Sequence, residues 1–281
     1  MAGTYRVRPM RRDELDFAVE LAAREGWNPG LHDADAFFAA DPDGFLVGEL
    51  DGTPIGCVSA VRYGRDFGFL GFYIVVPAHR GRGYGMPLWQ AALKRLGSQN
   101  IGLDGVIEQQ DNYRKSGFRF AYSNIRYEWR DHSRASGSPS ALVRIKSADE
   151  IARYDRLCFP VPRRAFLDAW LRMSESVEFA WCEAGVMRGY GVIRRCREGW
   201  KIGPLFADTR EIAEALLFAL SSEAKTAEPI YLDVPEVNAD AMRLAADYGM
   251  KEVFGTARMY NKQAPYISLQ RIYGVTTFEL G

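Results

Sequence analysis

The sequence predicts a mixed α/β protein made of two tandem domains with related patterns, and three observations carry this prediction. Its 281 residues exceed the size of one typical domain, about 100–200 residues. Helical and strand patterns alternate in each half, and the second half repeats the order of the first. The halves are separated by a low-complexity stretch at residues 131–140, whose small polar residues are typical of a linker. The predicted domains are therefore residues 4–130 and 141–281.

The first half begins with an alternating strand and an amphipathic helix. Residues 5–8 alternate in polarity, and apolar residues then recur at helical spacing from Leu15 until Gly26, which predicts the helix end. Asp51-Gly52-Thr53-Pro54 joins two apolar runs and predicts a hairpin. The other elements follow in chain order: a short helix over 33–40, hairpin strands over 45–50 and 55–63, a buried strand over 67–76, a helix over 88–96 that ends at Gly97, a strand over 101–103 and a short helix before Gly117-Phe118.

The second half repeats this order. Ala184-Gly185 stands between two strand-like runs, as Asp51-Gly52 does in the first half, and residues 229–233 resemble residues 100–104. Each of these last two strands precedes a helix that ends in glycine and an apolar residue. The predicted elements are a strand over 141–145, a helix opened by the capping-box spacing of Ser147 and Glu150, a helix near 166–170, and hairpin strands over 177–182 and 186–194. The chain is therefore a two-copy internal repeat.

Composition excludes several classes of protein. The 36 basic and 36 acidic residues cancel, which argues against a broad basic surface for nucleic acid or an anionic membrane. The hydrophobic fraction of 47% excludes wholesale disorder. Four scattered cysteines predict reduced core thiols in a cytoplasmic protein, and three histidines without metal-ligand spacing predict no metal site. The arginine-rich amino terminus lacks the apolar stretch of a signal peptide, and the uncharged run over 67–79 is too short to span a bilayer.

The segment from Val75 to Gly85 carries the strongest functional signal. It joins a buried strand to an amphipathic helix, and glycines at three alternate positions let the backbone approach a ligand closely. Free N–H groups of the first helical turn point into the same concavity, so the segment suits a phosphate, with Arg80 and Arg82 adding positive charge. A flexible surface loop is the alternative. The segment is no P-loop, because no Gly-Lys-Ser/Thr follows.

Two motifs of the first half resemble the GNAT acetyltransferase family. Arg80-x-x-Gly83-x-Gly85, after the strand Gly71–Val76, is similar to the acyl-CoA pyrophosphate loop of that family. Asn112-Tyr-Arg-Lys-Ser-Gly-Phe118 is similar to its downstream Tyr-x-Lys-x-Gly-Phe segment. The resemblance covers residues 4–130 well, and the second half resembles a degenerate copy. It implies two GNAT-like domains, each a mixed, mostly antiparallel sheet flanked by helices.

The resemblance also implies a mechanism, in which an amine attacks the thioester of acetyl-CoA directly. Ile74 and Val76 would pair with pantetheine through their backbones, and a backbone N–H near Ile74 would stabilise the oxyanion. Tyr113 matches the family's general acid, although a half-buried packing role is its ordinary alternative. The expected acyl-CoA-binding residues are Ile74, Val75, Val76, Arg80, Gly81, Arg82, Gly83, Tyr84, Gly85, Asn112 and Tyr113. Val106 stands where the family often has asparagine, which departs from the pattern.

The acceptor side is less determined by the sequence. Trp27 and Asn28 follow the first helix, where the family builds the acceptor wall, so we expect them to contact a small-molecule or peptide amine; a helix stop with a buried tryptophan is the alternative. Several carboxylates are possible general bases, each also explicable as a surface charge or helix cap, and the choice stays open. These candidates are Glu25, Glu49, Asp104 and Glu108.

The second half lacks the corresponding machinery. Asp208-Thr209 replaces the glycine loop, and Ala245 stands opposite Tyr113 in the repeat. We therefore expect this half to close the acceptor site or to support the first half. A non-catalytic acyl-CoA sensor and a nucleic-acid-binding module that uses Arg80-Gly-Arg-Gly are alternatives. The oligomeric state stays open.

Overall fold

The computed structural model describes residues 3–132, 142–144, 148–225 and 228–281. Most of the predicted linker and the predicted capping residue Ser147 lie outside these ranges. The strands are β1 (Tyr5–Pro9), β2 (Phe45–Leu50), β3 (Thr53–Tyr63), β4 (Phe67–Val75), β5 (Asn100–Val106), β6 (Arg119–Trp129), β7 (Leu142–Arg144), β8 (Ser176–Glu183), β9 (Val186–Arg195), β10 (Trp200–Ala207), β11 (Ile230–Pro235), β12 (Lys251–Tyr260) and β13 (Ile272–Gly274). The α-helices are α1 (Leu15–Arg24), α2 (Asp33–Ala40), α3 (Gly85–Leu96), α4 (Gln110–Lys115), α5 (Ala148–Cys158), α6 (Arg164–Trp170), α7 (Arg210–Ser221) and α8 (Ala239–Asp247).

All thirteen strands of the described residues belong to one continuous mixed sheet. Its order is β1-β2-β3-β4-β5-β12-β6-β11-β10-β9-β8-β7, and β13 pairs with β10 beside this path. Only β4–β5 and β10–β11 are parallel among the described strand pairs. The predicted mixed, mostly antiparallel architecture with flanking helices is confirmed.

The two halves exchange their last long strands. β6 of the first half lies between β12 and β11 of the second, while β12 lies between β5 and β6. Each junction contains a buried ion pair between directly opposed residues: Asp104 of β5 faces Arg258 of β12, and Asp233 of β11 faces Arg126 of β6. The predicted division at residues 131–140 remains a division of the sequence, because the sheet crosses it.

The helices form where the sequence places apolar residues one turn apart. α1 buries Leu15, Ala18 and Ala22, and Gly26 takes a positive φ of 78° just after the helix. α2 packs against α6 of the other half, where the ring of Phe37 stacks on that of Trp170 with 6.2 Å between centroids. One hydrophobic core therefore contains buried residues of both halves.

A gap opens in the sheet between β4 and β5. The two strands pair from Phe67 to Leu70 only, although both continue beyond that point. A bulge marks the divergence, because Phe72 and Tyr73 together oppose a single residue of β3. Phe72 has a φ of 47°, a left-handed conformation that is strained for an aromatic residue. The strain is concentrated where β4 leaves its neighbour.

The equivalent gap in the second half is filled by the chain itself. β10 and β11 pair only from Trp200 to Ile202, and β13 then pairs with β10 at Leu205 and Phe206. The N–H of Val275 donates to the carbonyl of Asp233 on β11 at 2.8 Å. We call residues 272–281 the closing segment, because they fill this gap and continue toward the first half.

Candidate functional site

A cavity of about 450 Å³ occupies the gap between β4 and β5. The first half contributes β4, β5, the glycine-rich segment after β4 and Trp27. The second half contributes Phe254 and Thr256 of β12 and Phe278 and Glu279 of the closing segment. The cavity therefore lies at the junction of the two halves, a common location for small-ligand sites.

The glycine-rich segment has the predicted form. Gly81 and Gly83 have φ values of 71° and 86°, and no atom lies within 4 Å of the position that a Cβ would occupy at either glycine. No side chain caps the amino terminus of α3, whose Pro87 lacks an N–H, so the backbone donors of Gly85 and Tyr84 remain available beside the cavity. Such a helix end binds anions through its N–H groups and dipole.

The two arginines of this segment differ in position. The Nε of Arg80 donates to the carbonyl of Val75 at 2.7 Å, and its guanidinium forms an ion pair with Glu25. Arg80 thus ties α1 to the end of β4, and Glu25 is not a free base. Arg82 is exposed and does not line the cavity, so its contact with acyl-CoA stays a prediction.

The backbone of β4 requires one correction. The N–H of Val76 donates to Ile55 of β3 and its carbonyl accepts from His79, both at 2.8 Å, while the carbonyl of Ile74 lies against Gly56 of β3. Because alternate residues of a strand direct their backbone groups to opposite neighbours, Val75 is the residue whose backbone faces the cleft. The prediction that the backbones of Ile74 and Val76 pair with pantetheine is therefore wrong by one position, because Val75, which lies between them, faces the cleft.

Tyr113 reaches the cavity from α4. Its ring lies 5.6 Å from that of Trp89 and covers Gly105 of β5, where a Cβ would lie about 2.2 Å from the tyrosine ring. Burial and the nearby Tyr73 raise the pKa of Tyr113 to about 12. The phenol is thus held protonated at neutral pH, and no residue in the described ranges forms a hydrogen bond with its hydroxyl. This is the state that a proton donor needs.

Asn112 and Asn28 lie outside the cavity. The amide of Asn112 donates to Gln109 on the surface of α4 at 2.7 Å. The amide of Asn28 forms two hydrogen bonds of 2.9 Å with the backbone of Glu198, so it joins the halves. The expectation that Asn112 contacts pantetheine and Asn28 contacts the acceptor finds no support in this geometry. Trp27, in contrast, lines the cavity, and its contact with the acceptor stays a prediction.

The remaining candidate bases are engaged or distant. Asp104 is buried against Arg258 in a two-point ion pair, with oxygen–nitrogen distances of 2.7 and 2.6 Å. Glu49 pairs with Arg6 and Arg8 away from the cavity, and Glu108 is exposed. Asp104 and its counterpart Asp233 both have a structural role, since they form the ion pairs of the exchanged strands.

The sequence led us to expect that the second half closes the acceptor site, but it did not identify which residues of that half line the cavity. Phe254, Thr256, Phe278 and Glu279 arrive there because β12 is inserted beside β5 and the closing segment follows β13. Glu279 is only 4% exposed, and burial raises the pKa of its carboxyl. No local pattern signals these positions, because only the strand exchange brings them to the site.

The second half has no glycine loop at its equivalent position. Thr209 caps α7 by accepting a hydrogen bond from Ile212, and Tyr154 donates to Asp208 at 2.7 Å. Ala245 is fully buried in its core. Within the described ranges, no group of three or more His, Cys, Asp or Glu residues is arranged to hold a metal, and no helix has the length and apolar character to cross a membrane.

Comparison with known proteins identifies both halves. Residues 10–118 match the model of the acetyltransferase (GNAT) family, and residues 151–274 match that of an acetyltransferase (GNAT) domain. A holothin acyltransferase from Pseudoalteromonas sp. (strain SANK 73390) is 29% identical over 280 residues, which cover 99% of this chain and 95% of that protein.

Solved structures share the fold. A putative acetyltransferase from Pyrococcus horikoshii superposes with a TM-score of 0.84 at 23% identity, covering 99% of this chain and 96% of that one. A tandem GNAT protein from the clavulanic acid biosynthesis pathway superposes with a TM-score of 0.64 at 13% identity, covering 93% and 100%. The chain therefore belongs to the GNAT acyltransferase superfamily and carries two GNAT domains in tandem.

Proposed function

We propose that the protein transfers an acetyl group from acetyl-CoA to a primary amine, at one site located in the first half. The observation that carries the proposal is the open gap between β4 and β5, which ends at the glycine loop and is lined by Tyr113. Pantetheine would lie along Val75 in that gap, with the pyrophosphate at the N–H groups of residues 81–85. The chain's own residues bind and orient the thioester there.

The chemistry needs a donor for the oxyanion and a proton for the leaving group. The N–H of Val75 faces the cleft and is the donor for the developing oxyanion. As the carbon–sulfur bond breaks, Tyr113 supplies its proton to the thiolate. The second half is degenerate as a catalyst, because β13 fills the gap that pantetheine would need.

The acceptor is a small-molecule or peptide amine, and the cavity favours a compact one. Trp27, Phe254 and Phe278 give it aromatic walls, and its volume of about 450 Å³ must also hold the acyl end of the donor. The similarity to a holothin acyltransferase makes holothin one candidate for the acceptor panel. The four cysteines are free thiols, consistent with the reducing cytoplasm that we propose as its location.

Calorimetry with acetyl-CoA tests the location of the site. We expect one equivalent to bind per chain and Gly83→Val to abolish binding, because valine disfavours a φ of 86° and adds a side chain where the pyrophosphate must lie. Gly52→Val is the matched control, since Gly52 also has a positive φ of 81° and open surroundings but lies in a hairpin turn. Two equivalents, or unchanged binding by Gly83→Val, would contradict the assignment.

A mass-spectrometric screen of amines with acetyl-CoA and longer acyl-CoAs tests the reaction. We expect an acetylated amine and release of free CoA thiol. Binding of acetyl-CoA without acylation of any amine would favour the second candidate, an acyl-CoA sensor.

A further inference from the structure

The closing segment places the carboxylate of Glu279 at the proposed acetyl-transfer site, and this carboxylate has no ion-pair partner within the described ranges. Three carboxylates line the cavity, and two of them are neutralised: Glu25 by Arg80 and Asp104 by Arg258. Glu279, the third, forms no ion pair with any residue in the described ranges. Its backbone packs against Gly71 at the β4 bulge, where a Cβ would lie 2.1 Å from the Glu279 carbonyl. Glu279 is therefore fixed next to the gap.

The charges around Glu279 form a buried cluster drawn from both halves. Arg126 is paired with Asp233, and Arg194 is paired with Asp33. Lys201 is left over; its ammonium donates to the carbonyl of Asn28 at 2.7 Å rather than to a carboxylate. With Glu279 ionised, three cations face three anions. Glu279 and Lys201 are the two members of the cluster that form no ion pair within the described ranges.

Four charged groups on other elements act on the carboxyl of Glu279. Burial raises its pKa and Asp33 of α2 adds to this effect, while Lys201 of β10, Arg126 of β6 and Arg194 of β9 oppose it. Its own backbone N–H provides the remaining favourable contact. A buried carboxylate with a raised pKa is a stronger base, and in an aromatic-walled cavity it suits proton abstraction from an ammonium group.

We propose that Glu279 is the general base of the reaction and removes a proton from the acceptor ammonium before attack. The freed amine then forms the carbon–nitrogen bond at the thioester carbonyl. As the carbon–sulfur bond breaks, Tyr113 protonates the leaving thiolate, and the second proton of the amine nitrogen returns through water to Tyr113. The products are the amide, free CoA thiol and one proton on Glu279, which passes to solvent. This assignment rests on the proposed acetyl transfer.

Glu279→Gln tests the proposal with little change of shape. With an amine identified by the screen, we expect kcat/KM to fall by about 10²–10⁴-fold at neutral pH and the decline of the wild-type rate toward acidic pH to disappear. Acetyl-CoA affinity should not change. Glu279→Asp should restore part of the rate while keeping the acidic decline.

Stability provides a readout that does not depend on turnover. Because folding raises the pKa of Glu279, the folded state favours the protonated carboxyl, and the stability of the wild type falls as pH rises through that pKa. Glutamine imitates the protonated form, so the melting temperature of Glu279→Gln near pH 7 should equal or exceed that of the wild type. If Glu279→Gln has a lower melting temperature and normal kinetics, Glu279 is a structural ion partner of the buried cations, and the proposal is overturned.

Two matched variants identify competing bases. Glu25→Gln removes the cavity-lining carboxylate that directly follows α1. His79→Gln removes a cavity-lining imidazole whose Nδ1 has no hydrogen-bond partner in the described ranges. We expect both to keep the acidic decline of the rate. Loss of that decline in either variant, with Glu279→Gln unchanged, would assign the base elsewhere. An inert wild type that still binds acetyl-CoA would instead refute the acetyl transfer itself, and Glu279 as its base with it.

Discussion

At the residue scale, burial shifts the pKa values of two side chains that line the cavity, Tyr113 and Glu279. The ring of Tyr113 is clamped between Trp89 and Gly105, and its raised pKa of about 12 keeps the hydroxyl protonated. In the proposed mechanism Glu279 has the opposite requirement, since it must lose and regain a proton during turnover. Burial raises both pKa values, and for the phenol this preserves an acid while for the carboxyl it strengthens a base.

The role of Tyr113 is tested by Tyr113→Phe. We expect kcat to fall by about 10²–10⁴-fold, because the thiolate then leaves without a proton donor, while acetyl-CoA affinity stays within about twofold. Steady-state kinetics and calorimetry measure the two effects. Since the pKa of Tyr113 is about 12, the wild-type rate should show no decline below about pH 10 that arises from this residue. Wild-type turnover in the phenylalanine variant would reduce Tyr113 to a packing residue.

The sequence predicted residues of the loop better than residues of the acceptor side. The glycine positions follow from local spacing, because the loop and its helix are contiguous in the chain, whereas Tyr113 was identified by the resemblance of residues 112–118 to the family motif. The prediction of which β4 residues face the cleft was wrong by one position. The bulge at Phe72 shifts the residues that face β3, and sequence alternation does not reveal a bulge. Asn28 looked available, but Glu198, a residue 170 positions later, satisfies its amide.

At the element scale, strand exchange is the feature that builds the cavity. β12 supplies part of its wall and holds β5 through the ion pair of Arg258 with Asp104. β6 is held to β11 in the same way by Arg126 and Asp233, so the two junctions are related copies. Arg126 also donates to the carbonyl of Trp27 at 2.6 Å, which connects this junction to the loop that follows α1. The sequence located these strands but not their neighbours, since pairing partners are set by topology rather than by local pattern.

The ion pair between β5 and β12 is tested by Arg258→Met. Removing one partner leaves the buried Asp104 uncompensated, so we expect a loss of about 3–5 kcal/mol in the free energy of unfolding. Urea denaturation measures this loss. The double variant Asp104→Asn with Arg258→Met should recover part of the stability, because no buried charge is then unpaired. Additive losses in the two single variants and the double variant would show that the residues do not act as a pair.

At the scale of the whole molecule, the two GNAT domains share one sheet, so we expect neither of them to fold independently. Each half contributes a central strand that pairs with strands of the other half. One hydrophobic core contains Phe37 and Phe72 of the first half together with Phe166 and Trp170 of the second. The repeat was visible in the sequence because each copy keeps its own turns and helix ends. The shared sheet was not, because nothing local distinguishes a strand that pairs within its half from one that crosses over.

Cleavage of the chain between the halves tests this interdependence. We expect a protease site inserted within residues 133–140 to yield two fragments that remain associated in gel filtration and retain acetyl-CoA binding. The fragment of residues 1–132 expressed alone should fail to bind, because β5 then lacks the neighbour that forms one side of the cavity. Size-exclusion chromatography and calorimetry measure both results. A monomeric, acetyl-CoA-binding first fragment would contradict the requirement for β12.

The inserted position of β12 also constrains how the protein is made. β5 is complete at Val106, but the strand that must lie beside it begins about 145 residues later in synthesis. At a ribosomal rate of about 5–20 residues per second, the open edge of β5 waits for roughly 7–30 s before its partner emerges. During that interval the nascent first half presents an unpaired strand edge, which is a recognised route to aggregation. Translation speed and chaperone occupancy over the second half are thus expected to govern the yield of folded protein.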